Sequence, residues 1–263
     1  MHSHIKKDDC MKIIFYILCG LLISPCVYSE SNLNVLSQWL SSSDSKIRGM
    51  ALKTVGKQKV KELIPKVISV LKKDTDENVR AQAAICLGEI GEKKDVAPVL
   101  FEVIETDTSI KVKVDAINSL GKLKDTSLVD KLADLVYNKD FGKNAYIREA
   151  IANSIGEIGL NTEKTRKTLI TLLDEGDKDV RKKAILALEK IGEINSQYLI
   201  IDLVDIDPEI DVRLTALDVL SRIGSKKLIN ELESIKNGIV EKEFLEVKNK
   251  IPEVIKRIKE RNK

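Results

Sequence analysis

The sequence predicts an all-α fold, a solenoid of stacked helix-turn-helix repeats, and three observations support this prediction. Apolar residues make up 43% of the 263 residues but aromatic residues only 4%, which suits packed aliphatic helices better than a β-sandwich or barrel. A pair of one apolar and one basic residue recurs at near-constant spacing. Each pair also begins an apolar stripe of helical period. Fixed periods of about 20 to 50 residues are typical of solenoids.

The recurring pair marks the second helix of each repeat. Its basic members follow one another at spacings of 32, 33, 35, 33 and 32 residues. Apolar residues one position before the basic residue, and three and seven positions after it, lie on one face of a helix. N-cap residues such as Asp44, Asp76 and Asp177 come four positions before it, and the last copy has Asp207 followed by Pro208. The six pairs are Ile47 with Arg48, Val79 with Arg80, Val112 with Lys113, Ile147 with Arg148, Val180 with Arg181, and Val212 with Arg213.

A first helix is predicted before each capped helix, because an apolar-striped segment precedes every one of them. The segment DENVRAQAAICLGEIG, residues 76–91, resembles the second helix of HEAT-like repeats of the phycobilisome-lyase type, which typically reads D-x-x-V-R-x-x-A-A-x-A-L-G-x-I-G. The resemblance covers residues 32–224 and implies a right-handed, armadillo-type superhelix of six repeats. Residues 225–263 are expected to form a charged helical C-terminal cap.

The resemblance also implies that the basic residues bridge to acidic residues across repeats. We therefore expect a structural ladder along the solenoid rather than a substrate site. Its expected members are Asp44, Arg48, Asp76, Arg80, Arg148, Asp177, Arg181 and Arg213.

Small residues recur at three positions around the second helix. A bare Cα is expected to let the neighbouring helix approach closely at Gly56, Gly88, Gly121 and Gly156. Left-handed C-caps are expected at Gly91, Gly159, Gly192 and Gly224. Cys86 shares its position with small residues in the other copies, so we expect it to be a packing residue. The alternative, a reactive thiol, would need an electropositive and partly exposed site.

The N-terminal residues predict export. Residues 11–29 contain one lysine, an apolar run and a small-residue cleavage site, the layout of a secretory signal peptide. Cleavage is expected after Ser29, with Val27 at position −3. Residues 1–10 are interpreted as an upstream start extension. An uncleaved anchor and a lipoprotein modified at Cys26 are the two alternatives, and the expected location is the periplasm or the outside of the cell.

The sequence lacks the signatures of several enzyme classes. Its formal net charge of +3 is nearly balanced, which argues against a nucleic-acid binder. Both histidines, His2 and His4, precede the leader, which excludes a di-iron site with paired histidines in the exported part. No phosphate-binding loop, dinucleotide fingerprint, nucleophile elbow or metal-ligand cluster is present. We expect no catalytic residue, cofactor or metal, and interpret the chain as a protein-protein interaction scaffold of the bacterial cell envelope. The alternative is a lyase-like or chaperone-like enzyme subunit.

The candidate partner-binding residues lie where the spacing stretches to 35 residues. Tyr137, Phe141 and Tyr146 fall within ten residues, and both tyrosines occupy positions that are polar in the other copies. One interpretation is that the three rings pack on one another to close a longer loop. The other is an exposed aromatic site for an unidentified protein partner, because aromatic residues dominate interface energetics.

Overall fold

The computed structural model describes residues 30–261, and this part of the chain contains α-helices and short 3₁₀ turns but no β-strand. The predictions for residues 1–10 and 11–29 lie outside the described residues. Consecutive helices pair into first and second helices, which confirms the all-α solenoid. The helices are α1 (Glu30–Trp39), α2 (Ser45–Gln58), α3 (Ile64–Lys73), α4 (Glu77–Ile90), α5 (Lys93–Thr106), α6 (Ile110–Leu123), α7 (Val129–Asp134), α8 (Ala145–Ile158), α9 (Glu163–Leu172), α10 (Lys178–Lys190), α11 (Gln197–Ile206), α12 (Ile210–Ile223), α13 (Ile229–Gly238) and α14 (Leu245–Arg261).

Side-chain caps fix where most second helices begin. Asp44 accepts a hydrogen bond from the backbone N–H of Lys46, and Asp76, Asn144 and Asp177 act in the same way in their repeats. The predicted cap at Asp207 is wrong by two residues, because α12 begins after Glu209. The Asp207 carboxylate instead accepts from the Glu209 N–H at 2.9 Å and pairs with an arginine of the preceding repeat.

The second helices pack against one another as a continuous row, whereas neighbouring first helices touch only sparsely. Because the two layers are joined repeat by repeat, the more closely spaced row of second helices forms the inner side of the solenoid. The predicted close approach at the shared glycine position is confirmed. A Cβ on Gly88 would lie 3.0 Å from the Cα of Ser119, and one on Gly121 would lie 2.9 Å from the Cα of Ser154.

The predicted left-handed C-caps are present at two of the four glycines. Gly159 and Gly192 have φ values of 75° and 74°. The prediction is wrong for Gly91 and Gly224, whose backbones are extended. A Cβ at these two positions would lie 2.7 Å and 2.6 Å from a backbone oxygen of the preceding turn, so close approach is what favours glycine there. In the first repeat, Lys59 adopts the left-handed conformation without being glycine.

One continuous apolar core runs between the two layers, from Leu36 in α1 to Ile258 in α14. It is built from the aliphatic stripes that the repeat register predicts. Within residues 30–261, no helix has the length and apolar character needed to span a membrane.

Candidate functional site

A ladder of ion pairs joins consecutive repeats along the edge where the second helices begin. Arg48 donates to both carboxylate oxygens of Asp74 in the next repeat, at 2.6 and 2.7 Å. Such bidentate pairs combine charge with fixed geometry. The same arrangement is made by Arg80 with Asp107 and by Arg181 with Asp207. Arg148 contacts a single carboxylate oxygen of Glu175.

The acidic members of the ladder differ from those expected. Asp44, Asp76 and Asp177 accept hydrogen bonds from the first backbone N–H groups of their own helices. The hydrogen bond from the Asn78 N–H is the main reason that the pKa of Asp76 lies below its usual value. The carboxylates that face the arginines come from residues that follow the first helices, namely Asp74, Asp107, Glu175 and Asp207.

Pairing changes the titration of both partners. The hydrogen bond to Asp107 raises the pKa of Arg80 above its ordinary value. Burial alone would raise the pKa of Asp107, but the hydrogen bonds from Arg80 and from the Ser109 N–H outweigh it and lower that pKa. The pair is therefore charged at neutral pH.

In two places an aromatic ring replaces the carboxylate. The ammonium group of Lys113 lies 4.6 Å from the ring centre of Phe141 and donates to the Ile104 carbonyl oxygen at 2.5 Å. The guanidinium carbon of Arg213 lies 3.9 Å from the ring centre of Phe244. Burial lowers the pKa of both cations, because neither has a directly paired carboxylate.

The structure separates the three candidate aromatic residues. Tyr137 and Tyr146 are 59% and 69% exposed, whereas Phe141 is only 6% exposed and packs beneath Lys113. The hypothesis of an exposed three-residue site is therefore wrong for Phe141. The longer turn places Phe141 where four other repeats place a carboxylate. Its ring contacts Lys113 in place of an ion pair.

Tyr146 lies at a groove on the inner face. This groove has a volume of about 290 Å³ and is formed by side chains of α6, α8 and α10. Asn153 donates its side-chain N–H to the Asn118 side-chain oxygen at 3.5 Å across the groove. The lining residues are Val114, Asn118, Tyr146, Glu149, Ala150, Asn153 and Lys183. The groove thus combines an exposed ring, two amides and one charge of each sign.

Cys86 is a buried packing residue. Its side chain is 1% exposed, and burial, with a smaller contribution from Glu89, raises the pKa of its thiol to about 12. A thiol in this state is a poor nucleophile. Residues 30–261 also contain no group of three or more His, Cys, Asp or Glu side chains arranged to hold a metal ion.

Sequence comparison identifies the repeats. The family model for HEAT repeats matches residues 33–109, 97–189, 142–221 and 167–238, which together span most of the chain. The chain belongs to the HEAT-repeat family. No curated protein matches the sequence.

Solved structures with this fold share low sequence identity with the HEAT-repeat chain. The complex of CpcE and CpcF of phycocyanin lyase from Nostoc is 20% identical, with a TM-score of 0.55, and the match covers 89% of this chain and 96% of that one. An archaeal HEAT-like repeats protein from Thermococcus onnurineus is 18% identical, with a TM-score of 0.49 and coverages of 92% and 99%. Human deoxyhypusine hydroxylase is 15% identical, with a TM-score of 0.39 and coverages of 95% and 91%. At 20% identity, the similarity to the phycocyanin lyase complex shows the fold alone.

The C-terminal segment has the register of a further HEAT repeat. The Lys248 ammonium donates to the Ile239 carbonyl nine residues earlier, just as Lys113 donates to Ile104. Lys248 follows Arg213 by 35 residues, and the preceding Val247 begins a buried apolar stripe in α14. The expected charged cap is helical, and α13 with α14 forms a seventh helix pair. The pair of Val247 with Lys248 was the sequence signal for it.

Proposed function

We propose that this HEAT-repeat chain is a non-catalytic scaffold of the bacterial cell envelope that binds a partner protein on its inner face. The observation that carries the proposal is the groove at Tyr146, where an exposed aromatic ring lies beside two side-chain amides. Tyrosine supplies a large contact area with little conformational entropy to lose, and amides can both donate to and accept from a bound polypeptide. The ladder, by contrast, satisfies its own charges and offers no free binding group there.

The chemistry of the groove supports binding rather than catalysis. The polar groups that line it are two amides, one phenol, one carboxylate and one ammonium group. None of these groups forms a hydrogen-bonded pair of nucleophile and base among the described residues, and such a pair is a common way to activate a nucleophile. A lyase-type subunit is the second candidate, supported by the similarity to the phycocyanin lyase complex of CpcE and CpcF. A bound bilin chromophore or turnover by the purified protein would favour that candidate.

The test compares two exposed tyrosines on opposite layers. Immobilised wild-type protein and the variants Tyr146→Ala and Tyr137→Ala are incubated with an envelope fraction, and captured proteins are quantified by mass spectrometry. The affinity of the most enriched protein is then measured by calorimetry. We expect Tyr146→Ala to weaken binding at least about tenfold, or about 1.4 kcal/mol, while Tyr137→Ala, in the turn that follows α7, leaves it unchanged. Unchanged affinity for Tyr146→Ala, and for Asn118→Ala with Asn153→Ala, would refute the groove as the binding site.

The envelope location rests on the leader pattern in residues 11–29. Expression of the full chain in a bacterial host, followed by fractionation and intact mass measurement, tests it. The proposal expects an exported product that begins at Glu30. A product with a lipid-modified Cys26 would support the lipoprotein alternative, and an unprocessed cytoplasmic product would contradict export.

A further inference from the structure

The outer surface of α11 carries an exposed apolar patch that other first helices lack. Tyr198 and Leu199 are half-exposed, and Ile206 is 72% exposed. The residues that immediately precede the ladder carboxylates in other repeats, as Ile206 precedes Asp207, are Lys73, Thr106 and Asp174. Contiguous exposed apolar surface of this kind commonly marks an interaction site.

Much of the patch stays exposed when the repeat folds. The inward side of α11 already buries Ile200, Ile201 and Val204 in the core. Tyr198, Leu199 and Ile206 therefore add apolar area that remains in contact with water. Covering that area with an apolar partner surface would be favourable.

The charge along the segment that carries the patch has one sign. Residues 194–211 contain five acidic residues and no lysine or arginine. Asp207 is paired with Arg181, and Glu209 and Asp211 lie near Lys178. Asp202 and Asp205 are exposed and form no ion pair within the described residues, and Asp205 also interacts electrostatically with the buried Arg213. An apolar surface with exposed carboxylates matches a partner that presents apolar and basic side chains together.

Exposed apolar and acidic residues also occur in the seventh repeat. Arg213 donates to the Asp207 carbonyl oxygen and stacks on Phe244, so it bridges the turn after α11 and the turn before α14. That second turn exposes Val240, and α14 begins with the exposed Leu245. Glu241 and Glu243 flank Lys242 in the turn and form no ion pair among the described residues, and both interact electrostatically with Arg213, as Asp205 does. Acidic residues of two adjacent repeats thus lie near Arg213.

We propose that the outer surface of α11, defined by Tyr198, Leu199, Asp202, Asp205 and Ile206, docks a basic amphipathic helix of a second protein partner. The patch extends over nine residues of helix, about 12 Å, which matches roughly two turns of an incoming helix. The exposed carboxylates of the patch repel an anionic membrane surface. The patch lies on the layer opposite the Tyr146 groove, so the chain has two independent docking surfaces and acts as an adaptor.

The test uses a defined probe and the whole protein. A fluorescein-labelled 14-residue peptide of leucine and lysine, with leucines spaced to form one helical stripe, is titrated with the protein and followed by anisotropy. A peptide of the same composition with the leucines distributed around the helix is the control. We expect the striped peptide to bind at least about tenfold more tightly, with an affinity that falls as salt rises.

Variants assign the binding to the patch. Tyr198→Ser with Ile206→Ser should weaken binding of the striped peptide at least about tenfold, because interface energy concentrates in a few apolar anchors. Asp202→Asn with Asp205→Asn should reduce its salt dependence. The matched controls, Tyr137→Ser with Met50→Ser and Asp95→Asn with Glu105→Gln, change exposed residues elsewhere and should bind as the wild type does. All variants should retain the wild-type melting temperature, since the substituted side chains are exposed.

Four results would overturn the proposal. The first two are equal binding of the striped and control peptides, and wild-type affinity of the patch variants for the striped peptide. The other two are tighter binding of the protein to neutral phosphatidylcholine vesicles than to the peptide, and a dimer of the protein that the Ile206→Ser substitution dissociates but added peptide does not. Tyr146→Ala separates the two surfaces. It should leave peptide binding intact even if the inner-face partner is lost, and failure of the inner-face experiment leaves the peptide result unaffected.

Discussion

Arg181 is the most deeply buried arginine with a carboxylate partner in the ladder, so the substitution Arg181→Ala tests the ladder most severely. The Arg181 and Asp207 side chains are only 8% and 1% exposed. Arg181 donates two hydrogen bonds to Asp207 and one each to the carbonyl oxygens of Glu175 and Gly176. Removing the arginine leaves the Asp207 carboxylate buried, with only the Glu209 N–H still donating to it.

The expected loss follows from that geometry. Breaking a buried ion pair by removing one partner costs about 3 to 5 kcal/mol of unfolding free energy, because the remaining charge is desolvated without compensation. Arg148→Ala is the matched comparison. Its partner Glu175 is 23% exposed, so water can hydrate the remaining carboxylate. We expect a loss of about 1 to 3 kcal/mol there.

Urea unfolding followed by far-UV circular dichroism measures the two losses, and hydrogen exchange of the α10 and α12 amides shows whether the effect is local. Arg181→Lys retains the charge but not the forked geometry, so its stability should fall between those of the wild type and Arg181→Ala. A loss below about 0.5 kcal/mol for Arg181→Ala, the range of ordinary surface substitutions, would refute a stabilising ladder. Equal losses for Arg181→Ala and Arg148→Ala would refute burial as the determining factor.

Three further predictions concern the core and the ladder. Phe141→Ala should lower the free energy of unfolding by about 3 kcal/mol while Tyr137→Ala changes it little, as measured by urea unfolding, because only the phenylalanine is buried. The Cys86 thiol should react with a thiol reagent at pH 8 only after denaturation, as followed by absorbance; labelling of the native protein would contradict its burial. The native pKa of Asp107 lies below its unfolded value, so its pairing with Arg80 stabilises the fold above about pH 4. That stability should be lost as pH falls through the native pKa, and Asp107→Asn should remove this part of the pH dependence of the melting temperature.

The repeat architecture could be predicted because every copy carries the same local signals. An N-cap, an apolar stripe and a shared glycine position are each encoded within about 15 residues, and six copies reinforce one another. The close contact between Gly88 and Ser119 followed from the same reasoning, since the glycine is otherwise unfavourable within a helix. The repeat spacing alone therefore predicted that neighbouring second helices approach each other at this glycine position.

The ladder partners could not be predicted from the same signals. Asp74 and Asp76 are two residues apart, and both carboxylates are suited to cap a helix or to pair with an arginine. Only the position of Arg48 in the folded structure assigns Asp74 to the ion pair. The burial of Phe141 could not be predicted for a related reason, because Phe141 packs against Lys113 of another repeat.

The apolar outer patch could not be predicted, for a different reason. The sequence predicts α11 from its apolar stripe, which has the period of a buried face. Ile206 and Tyr198 belong to the opposite side of the helix, and their exposure becomes apparent only once Ile200, Ile201 and Val204 are seen to fill the core.

The two kinds of ladder contact give the repeats unequal responses to acid. The ion pairs between repeats weaken once their carboxylates are protonated. The stacks of Lys113 on Phe141 and of Arg213 on Phe244, by contrast, contain no group that titrates in acid. The stability of a solenoid is a sum of the stabilities of its repeats and of the interfaces between neighbouring repeats. Interfaces of unequal stability therefore divide the chain into blocks that unfold cooperatively. Acidification would loosen the first repeat from the second, the second from the third, the fourth from the fifth and the fifth from the sixth, while the third stays coupled to the fourth and the sixth to the seventh. The molecule would then come apart in segments whose boundaries are set by where a ring has replaced a carboxylate.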